Sequence, residues 1–148
     1  MSTMNDPNPD SPILRVDNLN VSFHTSKGVV RAVRRVDFHL GREKLGIVGE
    51  SGSGKSTVGR AILGLVRPPG QVQADAIRFH DQDLRNLSNR QWRGIRGKRI
   101  GMVMQDPKYS LNPVMRIGEQ ISETLRVRER LSRAERQRRV LASLEAVR

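Results

Sequence analysis

Nine residues, Gly49-Glu50-Ser51-Gly52-Ser53-Gly54-Lys55-Ser56-Thr57, restrict this chain more than any other stretch. They follow a short apolar run, Lys44 to Val48, which reads as a buried parallel strand. They precede Val58 to Leu65, where Val58, Ala61, Ile62 and Leu65 recur at helical spacing. A strand, a glycine-rich loop and a helix in that order fit G-x-x-x-x-G-K-[ST], a loop that cradles phosphate. Glycine at 49, 52 and 54 lets the backbone take φ > 0 and approach a phosphate where a Cβ would clash. The loop N–H groups then converge on the anion at the positive end of the following helix. Lys55 reaches the β- and γ-phosphates as a mobile point charge, the Ser56 hydroxyl is placed for Mg²⁺, and Thr57 falls near the α-phosphate. The four fixed positions coincide by chance about once in 30,000 starts.

Composition narrows the rest. The 148 residues allow one domain, but 36% apolar and 3% aromatic content is lean for a self-contained core. With no cysteine there are no disulfides and no thiolate metal sites. No apolar run reaches the 18 residues of a membrane span. Residues 1–12, rich in Asn, Asp, Ser and Pro, read as a disordered lead-in rather than a signal peptide. The net charge of +12 comes from arginines scattered along the chain with no interleaved aromatics. That pattern reads as solvated faces, and nucleic acid is not an expected partner.

Ile13 to His24 alternates loosely and predicts a strand, Ser26-Lys27-Gly28 a turn, and Val29 to Leu40 a second strand pair. These form an antiparallel piece beside the nucleotide core. Arg67-Pro68-Pro69-Gly70 is a break, and Val72 to Phe79 reads as another strand. Ser88 is the expected N-cap of a short helix bearing Trp92 and Ile95, and Arg99 to Met104 reads as an apolar strand. Ile117, Ile121 and Leu125 mark one face of a helix. Ser132-Arg133-Ala134-Glu135 is a capping box ahead of an apolar stripe at Leu141, Leu144 and Val147. Arg136, Arg138 and Arg139 are expected on a solvated face.

With the loop and the run Gln105-Asp106-Pro107-Lys108-Tyr109-Ser110-Leu111-Asn112-Pro113 in view, the chain resembles the ATP-binding subunits of ABC transporters. Within them it resembles the oligopeptide, dipeptide and nickel importer branch. That branch reads V-G-E-S-G-S-G-K-S at the loop and F-Q-D-P-x-x-S-L-N-P-x-x-x-I-G-x-Q-I after it; here Met104 replaces the Phe. The resemblance runs from about Ile13 to the end of the chain. It implies an α/β fold, a P-loop NTPase core with an antiparallel β subdomain, over residues 13–148. It also implies ATP and Mg²⁺ as ligands. Gly49, Glu50, Ser51, Gly52, Ser53, Gly54, Lys55, Ser56 and Thr57 then hold the nucleotide. Phe23 stacks on adenine or packs in the core, and Gln105 reaches Mg²⁺ or the attacking water.

By the same resemblance, Tyr109 to Gln120 meets a membrane subunit at the cytoplasmic face of the membrane. A second ATP-binding subunit closes over the nucleotide, and a periplasmic or extracellular solute-binding protein delivers the cargo. The family continues with an L-S-G-G-Q signature, an apolar strand ending in Asp-Glu and a switch histidine. These are absent from the 148 residues. The expectation is the N-terminal part of a nucleotide-binding domain, ending inside its helical subdomain and by itself weakly stable and inactive as an ATPase. Two other readings stay open at this point. One is a truncated nucleotide-binding protein without turnover. The other is a nucleic-acid-associated ATPase, against which the Ser110-Leu111-Asn112-Pro113 run stands.

Overall fold

The computed structural model describes residues 11–105, 111–129 and 131–147. They fall into two compact units that meet in sequence at Ile100 and Gly101. Residues 1–10 of the expected lead-in at 1–12, and 106–110 of the run after Gln105, lie outside the described residues.

The first unit is built on a hairpin. β1 (Leu14–Thr25) and β2 (Gly28–Leu40) pair antiparallel from Leu14↔Leu40 to Thr25↔Gly28, joined by the two-residue turn Ser26-Lys27. Thr25 Oγ1 ties the turn by donating to Gly28 O at 2.8 Å. Strict alternation would put Val16 and Leu19 on opposite faces of β1, yet both are fully buried with Val21. Register shifts between Val16 and Leu19 and between Leu19 and Val21 reconcile them, with Asn18 at φ +49° and Arg35 at φ +48° taking the irregular backbone. Asn18 N–H donates to Asp37 Oδ1 at 2.7 Å and Arg35 N–H to Asn20 Oδ1 at 3.0 Å, so the freed amides keep partners.

On its other edge β1 pairs with β3 (Gly70–Gln73) through Asn20–Phe23 and with β4 (Ala76–Phe79) through Leu14–Asp17. The single strand expected over Val72 to Phe79 is thus two segments lying end to end along one neighbour. They part at 74–75, where Asp75 N–H donates to Asp17 O. β5 (Gln82–Asp83) completes the antiparallel sheet against β4.

Two helices cover this sheet. α1 (Lys55–Ile62) buries Val58, Ala61 and Ile62, and α2 (Asn89–Ile95) buries Trp92 and Ile95; all five join Val16, Leu19, Val21, Val33, Ile77 and Phe79 in one core. Ser88 caps α2 as expected: Gln91 N–H donates to Ser88 Oγ, and Ser88 N–H to Gln91 Oε1.

Two expected strands are not formed. Lys44 to Val48 is irregular, with Leu45, Ile47 and Val48 exposed by 46%, 49% and 95%. Arg99 to Met104 contributes only the isolated bridge Arg96↔Ile100, and Val103 is 89% exposed. The physical reason is shared. A parallel strand buried on both faces is held by strands on both sides, and among the described residues neither run has a strand neighbour. Their apolar composition is that of buried strands.

The second unit is a helical hairpin of α3 (Ile117–Arg128) and α4 (Arg133–Glu145). α4 starts at the expected capping box: Glu135 N–H donates to Ser132 Oγ at 3.3 Å and Ser132 N–H to Glu135 Oε2 at 3.0 Å. Gly118 of α3 lies against Val140, which is buried, while Leu141, Leu144 and Val147 of the expected stripe are exposed.

Candidate functional site

The loop from Gly49 to Thr57 leads directly into α1, and its shape follows from its glycines. Gly52 sits at φ +81° and Gly54 at φ +91°, conformations that cost an L side chain about 1–2 kcal/mol. Gly54 has a second reason to be glycine. A Cβ there would run into the carbonyl oxygen of Ala32 on β2, with Val33 Cγ2 at 3.4 Å. The loop therefore rests on the middle of β2, and Ser53 N–H closes it by donating to Glu50 O at 3.2 Å.

The N-terminus of α1 is open in the electrostatic sense. Its N-cap is Gly54, no side chain caps it, and no acidic residue stands in its first turn. The partial positive charge of the helix end is thus left uncompensated on the side the loop encircles. By contrast, α2 and α4 each close this end with a capping box.

Lys55 folds back over the loop. Its Nζ donates to Gly49 O at 2.7 Å, Glu50 O at 2.6 Å and Ser53 Oγ at 3.3 Å. All three acceptors are neutral, so among the described residues no carboxylate cancels its charge. Ser56 is exposed and Thr57 half-buried on the first turn of the helix, while Glu50, Ser51 and Ser53 are exposed. This set can hold a phosphate chain. Its hydroxyls are those of Ser51, Ser53, Ser56 and Thr57, and no group of three or more His, Cys, Asp or Glu that could hold a metal exists among the described residues. A hard cation here would have to arrive with phosphate oxygens and water as its other ligands.

The other expected residues lie elsewhere. Phe23 is half-buried, packed against the core and paired with Val30 of β2 and Gly70 of β3. Its Cε1 lies 2.8 Å from where a Cβ on Gly70 would stand. Val30 is two residues along β2 from Ala32, so Phe23 sits about 7 Å along the strand from the loop's footing. Gln105 is exposed and belongs to the second unit. Of the run expected to meet a partner, the described part is braced by Gln120. Its Oε1 accepts from Asn112 N–H, and its Nε2 donates to Asn112 O and Met115 O, all within 3.0 Å. Next to it, α3 and α4 line a cleft of about 940 Å³ that carries Arg116, Arg126, Arg133 and Arg136.

One residue of this region carries no sequence signal. Arg96 reaches the end of α1, donating from Nε to Leu63 O at 2.7 Å and from Nη2 to Gly64 O at 2.8 Å. It stands 33 positions from the first of these carbonyls. Gly64, at φ +60°, lies inside the expected run Val58 to Leu65 and ends it early: α1 stops at Ile62 and Leu65 is outside the helix.

A glycine-rich loop seated on an antiparallel hairpin, with an uncapped helix opening from it, has the form of a phosphate-binding loop. The profile of the family described as ABC transporter matches residues 33–148, and the chain belongs to that family. Among curated proteins it is 46% identical over 137 residues to the oligopeptide transport ATP-binding protein OppD of Bacillus subtilis, covering 91% of this chain and 38% of that protein. It is 42% identical over 142 residues to OppD of Salmonella typhimurium, covering 95% and 42%. It is 40% identical over 140 residues to the dipeptide transport ATP-binding protein DppD of Lactococcus lactis, covering 93% and 40%. The chain thus spans about two fifths of the length of these relatives.

Proposed function

We propose that this chain is the nucleotide-binding part of the energy-coupling ATPase subunit of an importer for peptides or related solutes. The observation that carries the reading is the uncapped N-terminus of α1 inside a loop whose glycines at 52 and 54 stand at positive φ. The names of the relatives, all peptide-transport ATP-binding proteins, supply the solute class.

In this reading the amides of Gly52 to Thr57 bind the β-phosphate, and Lys55 turns from the loop carbonyls toward the β- and γ-phosphates. Mg²⁺, bound with the nucleotide, neutralises charge on the phosphate oxygens. Ser56 and Gln105 are the residues to hold it, and Gln105 also orients water. Glu50, Ser51 and Ser53 shape the loop wall, and Phe23 is the candidate for the adenine ring. The 109–120 run, braced by Gln120, is the contact for a membrane subunit. A second ATP-binding subunit closes the site, and a solute-binding protein acts through the membrane subunits. The protein works at the cytoplasmic face of the membrane, the place its likeness to peptide-transport ATP-binding proteins supports.

The test is uptake of a labelled di- or oligopeptide by cells that depend on this gene. Lys55→Ala should abolish uptake while leaving the amount of protein unchanged. Uptake at the wild-type rate in that variant would refute the proposal.

A further inference from the structure

The phosphate loop is anchored at its far end too. α1 finishes with Gly64 at φ +60°, Gly64 N–H donating to Ala61 O and Leu65 N–H to Arg60 O. This turn satisfies carbonyls inside the helix and leaves those of Leu63 and Gly64 pointing past its end. Arg96 takes both, at 2.7 and 2.8 Å. Its guanidinium also lies 4.2 Å from the centre of the Trp92 ring. Gly64 is enclosed between the two: a Cβ there would stand 2.8 Å from both Arg96 Nη2 and Trp92 Cζ2.

The mount of Arg96 is itself held. Trp92 and Ile95 are buried in the same core as α1. Arg96 N–H bonds Trp92 O at 2.9 Å, and Ile95 O accepts from the amides of Arg99 and Ile100. A fixed cation thus sits against the negative end of the helix whose positive end faces the phosphate.

We propose that Arg96 is a positioning residue for the phosphate site. It pins the C-terminal end of α1, and so fixes where the loop amides and Lys55 stand at the other end of an eight-residue helix. The proposal rests on the nucleotide-binding reading and adds to it a residue outside the loop.

The experiment is the Kd of Mg·ATP in the full-length protein as the cell makes it, measured where circular dichroism shows each variant folded. Arg96→Met should weaken binding about tenfold, the effect of a misplacement well below 1 Å. Arg96→Lys, keeping the charge and one bond, should weaken it about threefold. Ile77→Val, a core change on β4 that removes none of the bonds Arg96 makes to Leu63 and Gly64, should leave Kd unchanged; that separates positioning from general stability. A folded Arg96→Met with Kd within about twofold of wild type overturns the proposal, as does an equal loss in Ile77→Val. Should Arg96→Met fail to fold, Arg96→Lys decides alone, and wild-type affinity there overturns it. If the wild-type protein shows no binding that Lys55→Ala weakens, the nucleotide reading fails and this proposal with it.

Discussion

Gly54 and Gly52 share a backbone conformation but not an environment, and the difference can be measured. Gly52 is at φ +81° with nothing within 4 Å of an added Cβ, so Gly52→Ala incurs only the left-handed conformation. Offset by the lower entropy of an unfolded alanine, that is a net loss of about 1 kcal/mol. At Gly54 the conformational cost is similar, but the new Cβ also overlaps the Ala32 carbonyl. That oxygen belongs to β2, whose backbone is tied to β1, so relief requires a strand to move rather than a side chain to swing. Such overlap adds about 1–3 kcal/mol, for a total near 3 kcal/mol. With a urea m-value of about 1.5 kcal/mol/M, the midpoint should fall by about 0.7 M for Gly52→Ala and about 2 M for Gly54→Ala. Trp92, the sole tryptophan and 7% exposed against the end of α1, reports the transition by fluorescence. Equal midpoint shifts in the two variants would refute the claim that the loop rests on β2.

Other consequences follow from named contacts. Lys55→Ala removes a charged donor and should weaken nucleotide binding ten- to a hundredfold, since such bonds contribute about 1.5–3 kcal/mol; equilibrium dialysis reads this. Ser132→Ala deletes the two hydroxyl bonds of the α4 capping box, leaving the Ser132 amide on Glu135, and should cost about 1 kcal/mol, seen as loss of helical dichroism in the 131–147 segment. In that box the Glu135 carboxyl is held below its ordinary range, first by the Ser132 hydroxyl and then by the Ser132 amide. A lowered folded value means that the unfolded chain takes up the proton first as pH falls. The contribution is therefore complete above about pH 5 and is lost as pH drops through about 4 and below. An acid titration should show this loss in wild type and a smaller one in Ser132→Ala, where the Ser132 amide still donates to the carboxylate. Arg139→Ala breaks an exposed pair with Glu129, 55% and 39% accessible, and should shift stability by no more than about 0.5 kcal/mol in a urea melt.

What the sequence made legible was local. The glycine-rich backbone of the loop, the turn at Ser26-Lys27, the caps at Ser88 and Ser132 and the helix α3 each depend on residues a few positions apart. The failures depend on distance. Lys44 to Val48 and Arg99 to Met104 have the composition of buried strands, but strand formation is decided by neighbours that no window along the chain contains. β1 looked only loosely alternating because a bulge at Asn18 changes its phase. The division of Val72 to Phe79 is imposed by how it meets β1. Phe23 could be read as core or as ligand contact; its packing against the core and its place beside Gly70 account for its burial. Its adenine role rests on the resemblance. Arg96 had no local signature, because its partners at Leu63 and Gly64 are set by the packing of two helices.

The central claim is that the loop at 49–57 binds the phosphates of a nucleotide. It is tested most directly by calorimetric titration of Mg·ATP into this protein, with inorganic pyrophosphate as competitor. The expected result is a single site that pyrophosphate competes for and that Lys55→Ala weakens ten- to a hundredfold in a variant still folded by circular dichroism. Undiminished binding in Lys55→Ala, or binding indifferent to pyrophosphate, would place the nucleotide elsewhere and contradict it.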